Sequence, residues 1–227
     1  MRDIQSREID GVLYSFEDFS DSCVRLATFN ELERDYYNFS KIKFSKNDII
    51  FDIGANIGMV SVFLAKKYPE TKIYSFEPIP ENYKSLITNI KLNKVENITP
   101  FNIGISKDNT PMKFIMRTDN TGGGTRCSLK TELDDHFVSN IACSSLDDIM
   151  VGLNVKNIKF MKMDCEGSEY DILFNSSNLN RIEYLSCELH INTNLQNQGY
   201  SPDKLLRHVY NHIDQSKVTH YFCRMTD

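Results

Sequence analysis

The segment "DIIFDIGANIGMVSVFLAKKYP", from Asp48 to Pro69, constrains this chain more than any other. An apolar run ends at an acid, Asp52, passes through Gly54 and Gly58, and opens into a stripe with helical spacing. A continuous apolar run of this length predicts a strand buried on both faces, as in a parallel sheet. The helix after Asn56 is expected to fade at Lys66–Lys67 and stop near Pro69.

The same alternation continues along the chain. "KIYSFE" predicts a second strand, and Pro80 suits the first turn of the helix that follows. "ITPFNI" reads as a third strand, with Pro100 placing it near an edge. "IKFMKMD" and "IEYLSCELH" read as fourth and fifth core strands, "SPDKLLRHVYNHI" as a helix and "VTHYFC" as a last strand. Ser145 and Asp148 have capping-box spacing at the head of "SSLDDIM". Between the third and fourth strands, "MKFIM" and "FVSNIAC" flank a glycine-rich polar stretch, which predicts a hairpin-like insertion. Strands alternating with helices define an α/β fold with a mostly parallel, doubly wound sheet. With 227 residues, one domain over 1–227 is expected: a helical lead-in over 1–47, carried by "FNELERDYYNF", and a Rossmann-like core over 48–227.

Bulk properties narrow the partners. A formal charge of −5 argues against nucleic acid as a partner, because phosphate binding draws on clustered Lys and Arg. No run is long enough for membrane insertion, and the acidic start lacks the pattern of a signal peptide. The six cysteines show no paired spacing, so a reduced, cytoplasmic setting is expected. Oligomeric state is not legible.

In a doubly wound sheet, ligands bind beyond the carboxyl ends of the strands. A dinucleotide loop wants glycine at its first, third and sixth positions, where this chain has Gly54, Asn56 and Met59. That mismatch disfavours a nicotinamide cofactor. Glu77, ending the second strand, is placed to accept ribose hydroxyls, and Asp52 favours an ammonium where a diphosphate would be repelled. Both acids fit S-adenosyl-L-methionine.

"FDIGANIGMVSVFLA", "SFEPIPENYKSL", "NIGIS", "SSLDDI" and "MKMDCEGSEYDIL" together resemble the FkbM family of S-adenosylmethionine-dependent methyltransferases, over roughly Asp48 to His190. The resemblance implies a class I methyltransferase fold and methyl transfer to a hydroxyl, with a sugar or glycan as acceptor. Alternatives are a non-sugar, polyketide-like hydroxyl or a non-catalytic cofactor-binding scaffold. It assigns Asp52, Gly54, Ala55, Asn56 and Gly58 to the cofactor loop, and Glu77 and Pro78 to the ribose. Asn102 and Ile103 would border the adenine, with Asp164 and Glu166 at the methionine end. Sheets of this family normally finish with two further strands. Here there is room for one.

Three candidate catalytic groups cluster after the fourth and fifth strands: Asp164, Glu188 and His190. Glu188 and His190 are two apart and so share a strand face, and His190 is the expected general base. The same three residues are candidate ligands for a divalent ion, magnesium or manganese. Arg126 and Ser128 in the insertion, and Glu169 in the next helix, are candidate acceptor contacts.

Overall fold

A computed structural model describes residues 2–19, 23–117, 120–126 and 136–224, with residues 114–117, 120–126, 136–139 and 224 described by backbone only. The chain opens on a hairpin, β1 (Arg2–Ile9) and β2 (Val12–Phe19), where the sequence reading placed a helical lead-in. Asp10 and Gly11 form the turn with φ of 50° and 76°, the backbone that an Asp-Gly hairpin turn adopts. Tyr14, Phe16 and Asp18 alternate inward along β2.

Helix α1 (Cys23–Glu33) begins earlier than "FNELERDYYNF" suggested and ends within it. Asn30 is a mid-helix residue whose side chain accepts from Arg7. The chain breaks afterwards because Asp35, at φ 50°, accepts from the amides of Phe39 and Ser40 and sets up a new turn.

The core follows as β3 (Ile49–Ile53), α2 (Met59–Lys67), β4 (Lys72–Phe76), α3 (Pro80–Leu92) and β5 (Ile98–Phe101). The crossing and insertion comprise β6 (Gly104–Ser106), β7 (Met112–Arg117), β8 (Asn120–Arg126), β9 (His136–Ile141) and β10 (Cys143–Ser145). Then come α4 (Leu146–Gly152), β11 (Ile158–Met163), α5 (Glu169–Asn175), β12 (Ile182–Ile191), α6 (Thr193–Asn197), α7 (Pro202–Tyr210) and β13 (Val218–Arg224).

Six strands form one sheet in the order β13-β12-β11-β3-β4-β5, and every pairing is parallel. β5, carrying Pro100, lies at one edge, where the missing N–H is tolerated. Among the described residues, β13 is the strand that pairs with β12 at the other edge. The chain grows outward from β3 to β5, then returns to β11 beside β3 and grows the other way. The β3–β11 boundary is therefore the switch point, where a crevice opens at the strand tips.

Apolar residues cover both sheet faces. Phe51, Phe76 and Met161 pack toward α4, α5 and α7, while Ile50, Ile73 and Phe160 pack toward α1, α2 and the hairpin. The hairpin is also held by polar means. Asn89 and Asn93, one turn apart on α3, exchange hydrogen bonds with the backbone of Glu17 and Ser15 as a neighbouring strand would. The insertion is a three-stranded antiparallel sheet in the order β8-β7-β9, one strand more than the expected hairpin. Among the described residues, no helix is long and apolar enough to cross a membrane.

Candidate active site

Beyond β3 the chain turns at Gly54, whose φ is 76°. A Cβ built there would lie 1.8 Å from the backbone oxygen of Asp164, so this glycine is where the tips of β3 and β11 touch. The amides of Gly54 and Ala55 both donate to the Phe76 carbonyl, tying the loop to β4. Asn56 is also left-handed, at φ 52°. Gly58 faces away from the crevice: its Cβ would meet Leu86 at 2.3 Å, so it lets α2 approach α3. The sequence placed Gly58 on the cofactor. The structure gives it a packing role.

Glu77 spans the loop. One carboxylate oxygen accepts from the amide of Asn56 at 2.7 Å, the other from the amide of Ile79 at 2.9 Å. Burial pushes this carboxyl up to about 7, against the pull of those backbone bonds. Oε1 also accepts from Asn82 Nδ2 at 3.4 Å, so Oε2 is the better placed of the two for a ligand hydroxyl. Asn102 donates to the carbonyls of Glu77 and Pro78, clamping the turn from behind, and Ile103 packs into the core. At that point Gly104 and Ile105, not this pair, line the crevice.

The crevice has a volume of about 360 Å³. Gly54, Ala55, Asn56, Glu77 and Pro78 form one wall, with Ile57, Ile79 and Ile105 as its apolar part. Lys162, Asp164, Glu166, Glu188 and His190 form the other. Thr28 and Glu31 of α1, with Tyr37, close the side, and Tyr37 donates to Glu31 at 2.8 Å.

Asp52 does not line this space. Strand alternation turns it toward α2, where it is fully buried and accepts from Ser61 at 2.5 Å. Its other oxygen lies 3.5 Å from Lys162 Nζ. A direct contact from Asp52 to a ligand ammonium is thus replaced by an indirect role through Lys162. That lysine donates to the Gly54 carbonyl at 2.8 Å and lies 3.7 Å from Asp164. Burial alone would pull its ammonium down, but Asp52 and then Asp164 outweigh it and hold the group charged. The sequence reading missed Lys162, although a cation inside "IKFMKMD" demands a buried acid partner.

His190 ends β12 with 3% of its surface exposed. Its Nδ1 lies 3.0 Å from Glu169 Oε1. Glu169 is fully buried and accepts from the amides of Cys165 and Gly167, so it orients the imidazole and is closed to an acceptor. Its expected role as an acceptor contact is corrected. Nε2 faces outward, 3.9 Å from Asp164, 3.8 Å from Glu166 and 3.9 Å from Glu188. Burial works against the imidazolium, but Glu169, with Cys223 and Asp164 adding, raises its pKa well above the ordinary value. Its proton is thus held more tightly than on a free imidazole.

The carboxylates move the other way. Burial pushes Glu166 up to about 8, opposed by His190 and reinforced by Asp164. Burial and then Asp164 also raise Glu188, which is one-third exposed to the crevice. The structure thus brings Asp164, Glu166, Glu188 and His190 together. Arg126 ends β8, with its side chain outside the description, and Ser128 lies outside the described residues.

A parallel sheet with helices on both faces, a glycine turn at the switch point and an acid ending the neighbouring strand define a nucleoside-binding α/β class of protein. A model described as "Methyltransferase FkbM domain" matches residues 52–214, and the chain belongs to that family. Methyltransferase 1 of Beauveria bassiana is 24% identical over 146 residues, 57% of this chain and 59% of the relative. A 31-O-demethyl-FK506 methyltransferase FkbM of Streptomyces tacrolimicus is 33% identical over 54 residues, 24% of this chain and 21% of the relative. Among solved structures, a putative methyltransferase of Streptococcus mutans in complex with SAH aligns at a TM-score of 0.45 and 12% identity, covering 82% of this chain and 83% of the other. The chain spans about 60% of the length of the first curated relatives it matches. The crevice suits the cofactor of such a family. It offers a buried acid, an apolar wall for a base, and carboxylates where a sulfonium amino acid would end.

Proposed function

We propose that this chain transfers a methyl group from S-adenosylmethionine to a hydroxyl of a small-molecule acceptor, with sugars and glycans as the leading acceptor class. The observation carrying this reading is the crevice at the switch point, with Glu77 on one wall and the Asp164–Glu166–Glu188–His190 group on the other. The cofactor supplies an electrophilic methyl carbon. Everything else falls to the chain. Glu77 accepts a ribose hydroxyl through Oε2, and Ile79 and Ile105 flank the base. Lys162 keeps the Gly54 carbonyl, and with it the loop, in place.

Glu188 takes the acceptor proton. It is partly open to the crevice, and its raised pKa brings a carboxylate nearer working pH, where a base is more effective. Glu169 fixes the His190 ring through Nδ1 and leaves Nε2 facing the carboxylates. An oxygen acceptor is supported by the relative whose name places its reaction at an O-demethyl position. The acid-lined, polar side of the crevice supports a polyhydroxylated one.

Calorimetric titration with S-adenosylhomocysteine is expected to saturate one site per chain, with NADH binding far more weakly. Labelled S-adenosylmethionine incubated with a panel of methyl-free sugars and glycans is then expected to give labelled acceptor. Label that never leaves the cofactor pool would count against transfer, and tighter binding of NADH would overturn the cofactor assignment.

A further inference from the structure

The reactive wall presents more ligating atoms than proton transfer needs. Asp164 Oδ1, Glu166 Oε2 and His190 Nε2 come from two strand tips, and all lie within 4.8 Å of one another. The two carboxylate oxygens are 3.9 Å and 3.8 Å from Nε2, beyond hydrogen-bond length. Ligand atoms on a magnesium- or manganese-sized ion lie about 3 Å apart when adjacent and about 4.2 Å when opposite. The two separations from Nε2 fall between those limits.

The histidine is set up as a metal ligand usually is. Its ring is 3% exposed, and its inner nitrogen is pinned by Glu169, itself locked by two backbone amides. An imidazole fixed through one nitrogen by a buried carboxylate, with the other aimed at acids, is the usual support of a ligating histidine. Glu166 is delivered into the group by a left-handed backbone, φ 52°. Glu188 and Cys223 also face Nε2, forming a second overlapping group with it. Glu188 is the base of the proposed reaction. Cys223 brings sulfur, which suits softer ions than carboxylates select.

We infer that Asp164, Glu166 and His190 bind one divalent cation of the magnesium–manganese class, with Glu169 orienting the histidine and Glu188 left beside the open coordination positions. Bound there, the ion carries the acceptor hydroxyl on a free position and lowers its pKa. Glu188 then accepts the proton as the oxygen attacks the methyl carbon and the carbon–sulfur bond breaks. The ligand set has two oxygens and one imidazole nitrogen, which suits manganese at least as well as magnesium. This inference deepens the proposed reaction and rests on it for its purpose, but not for its detection.

Manganese itself is the probe. Titration of the metal-free chain with Mn²⁺, followed by loss of the free-ion electron paramagnetic resonance signal, is expected to show one site per chain. Glu166→Gln and Asp164→Asn are expected to abolish it. Glu169→Gln is expected to weaken it about 10- to 100-fold, as loss of a ligand's support does. Cys223→Ser is expected to leave it unchanged. Folding of each variant is read from its far-UV circular dichroism, and Glu166, more than a quarter exposed, is the variant least at risk. Absence of a stoichiometric site, or loss in Cys223→Ser with retention in Asp164→Asn, would overturn the ligand set. S-adenosylhomocysteine binding measured without metal separates the two readings. If it binds and Mn²⁺ does not, only the metal site falls; the reverse result sinks the methyl-transfer reading.

Discussion

The two walls of the crevice are built on different principles. On the β3–β4 wall the only carboxylate is Glu77, fixed by two backbone amides and almost wholly buried. Its shape is set by main chain: the Gly54 turn against Asp164, the amides tied to Phe76, and the Gly58 contact with Leu86. On the β11–β12 wall three carboxylates stand about one-third exposed around two buried basic side chains, Lys162 and His190. Backbone geometry holds the first wall and charge balance the second. A surface that recognises an invariant cofactor gains from rigidity, whereas one that moves protons needs groups whose charge is poised.

That contrast can be broken in order of expected effect. Gly54→Ala should destabilise the chain most, by about 4 kcal/mol or more, since a Cβ would meet backbone that cannot yield. Thermal unfolding would show a midpoint lower by about 10 °C or more, and a smaller loss would mean the strand tips can separate. Lys162→Met should cost about 3–5 kcal/mol, because Asp52 is left charged and buried without its cation. Adding Asp52→Asn should restore much of that loss. Additive effects in denaturant titrations would disprove the coupling.

Glu188→Gln should lower methyl transfer about 100-fold while stability and S-adenosylhomocysteine binding hold. An unchanged rate would remove Glu188 as the base. The smallest effect tests the rigid wall. Unfolded, Glu77 ionises near its ordinary value of 4.5; folded, it keeps its proton until about 7. Its contribution to stability is therefore complete below the lower value and lost as pH rises to the higher. Glu77→Gln should flatten the fall in unfolding midpoint across that window. A parallel fall in both proteins would show that Glu77 is not the group responsible.

Much of the core was legible in advance. Strands β3, β4, β11 and β12 are buried on both faces and so read as apolar runs, while Ser145, Ser201 and Pro80 mark helix starts where the structure has them. The hairpin was overlooked despite a readable signal, the Asp10-Gly11 turn before an alternating "VLYSFEDF". α1 carries a weak stripe, so its limits were displaced by the Asp35 turn, a side-chain device that periodicity does not register. At the site, Asp164, Glu166, Glu188 and His190 were found by their place after strands. Gly58, Asn102, Ile103, Glu169 and Asp52 were assigned to ligand contact, and none of them lines the crevice.

Residue order alone determined the α/β alternation, the glycine turn at the switch point and the family, because each depends on neighbours along the chain. Which way each polar group faces was decided only in three dimensions. Asp52 meets Lys162 and Glu169 meets His190 across 110 and 21 residues of chain. Whether an acid becomes a contact, a counter-charge or a brace depends on the partner that packing brings beside it.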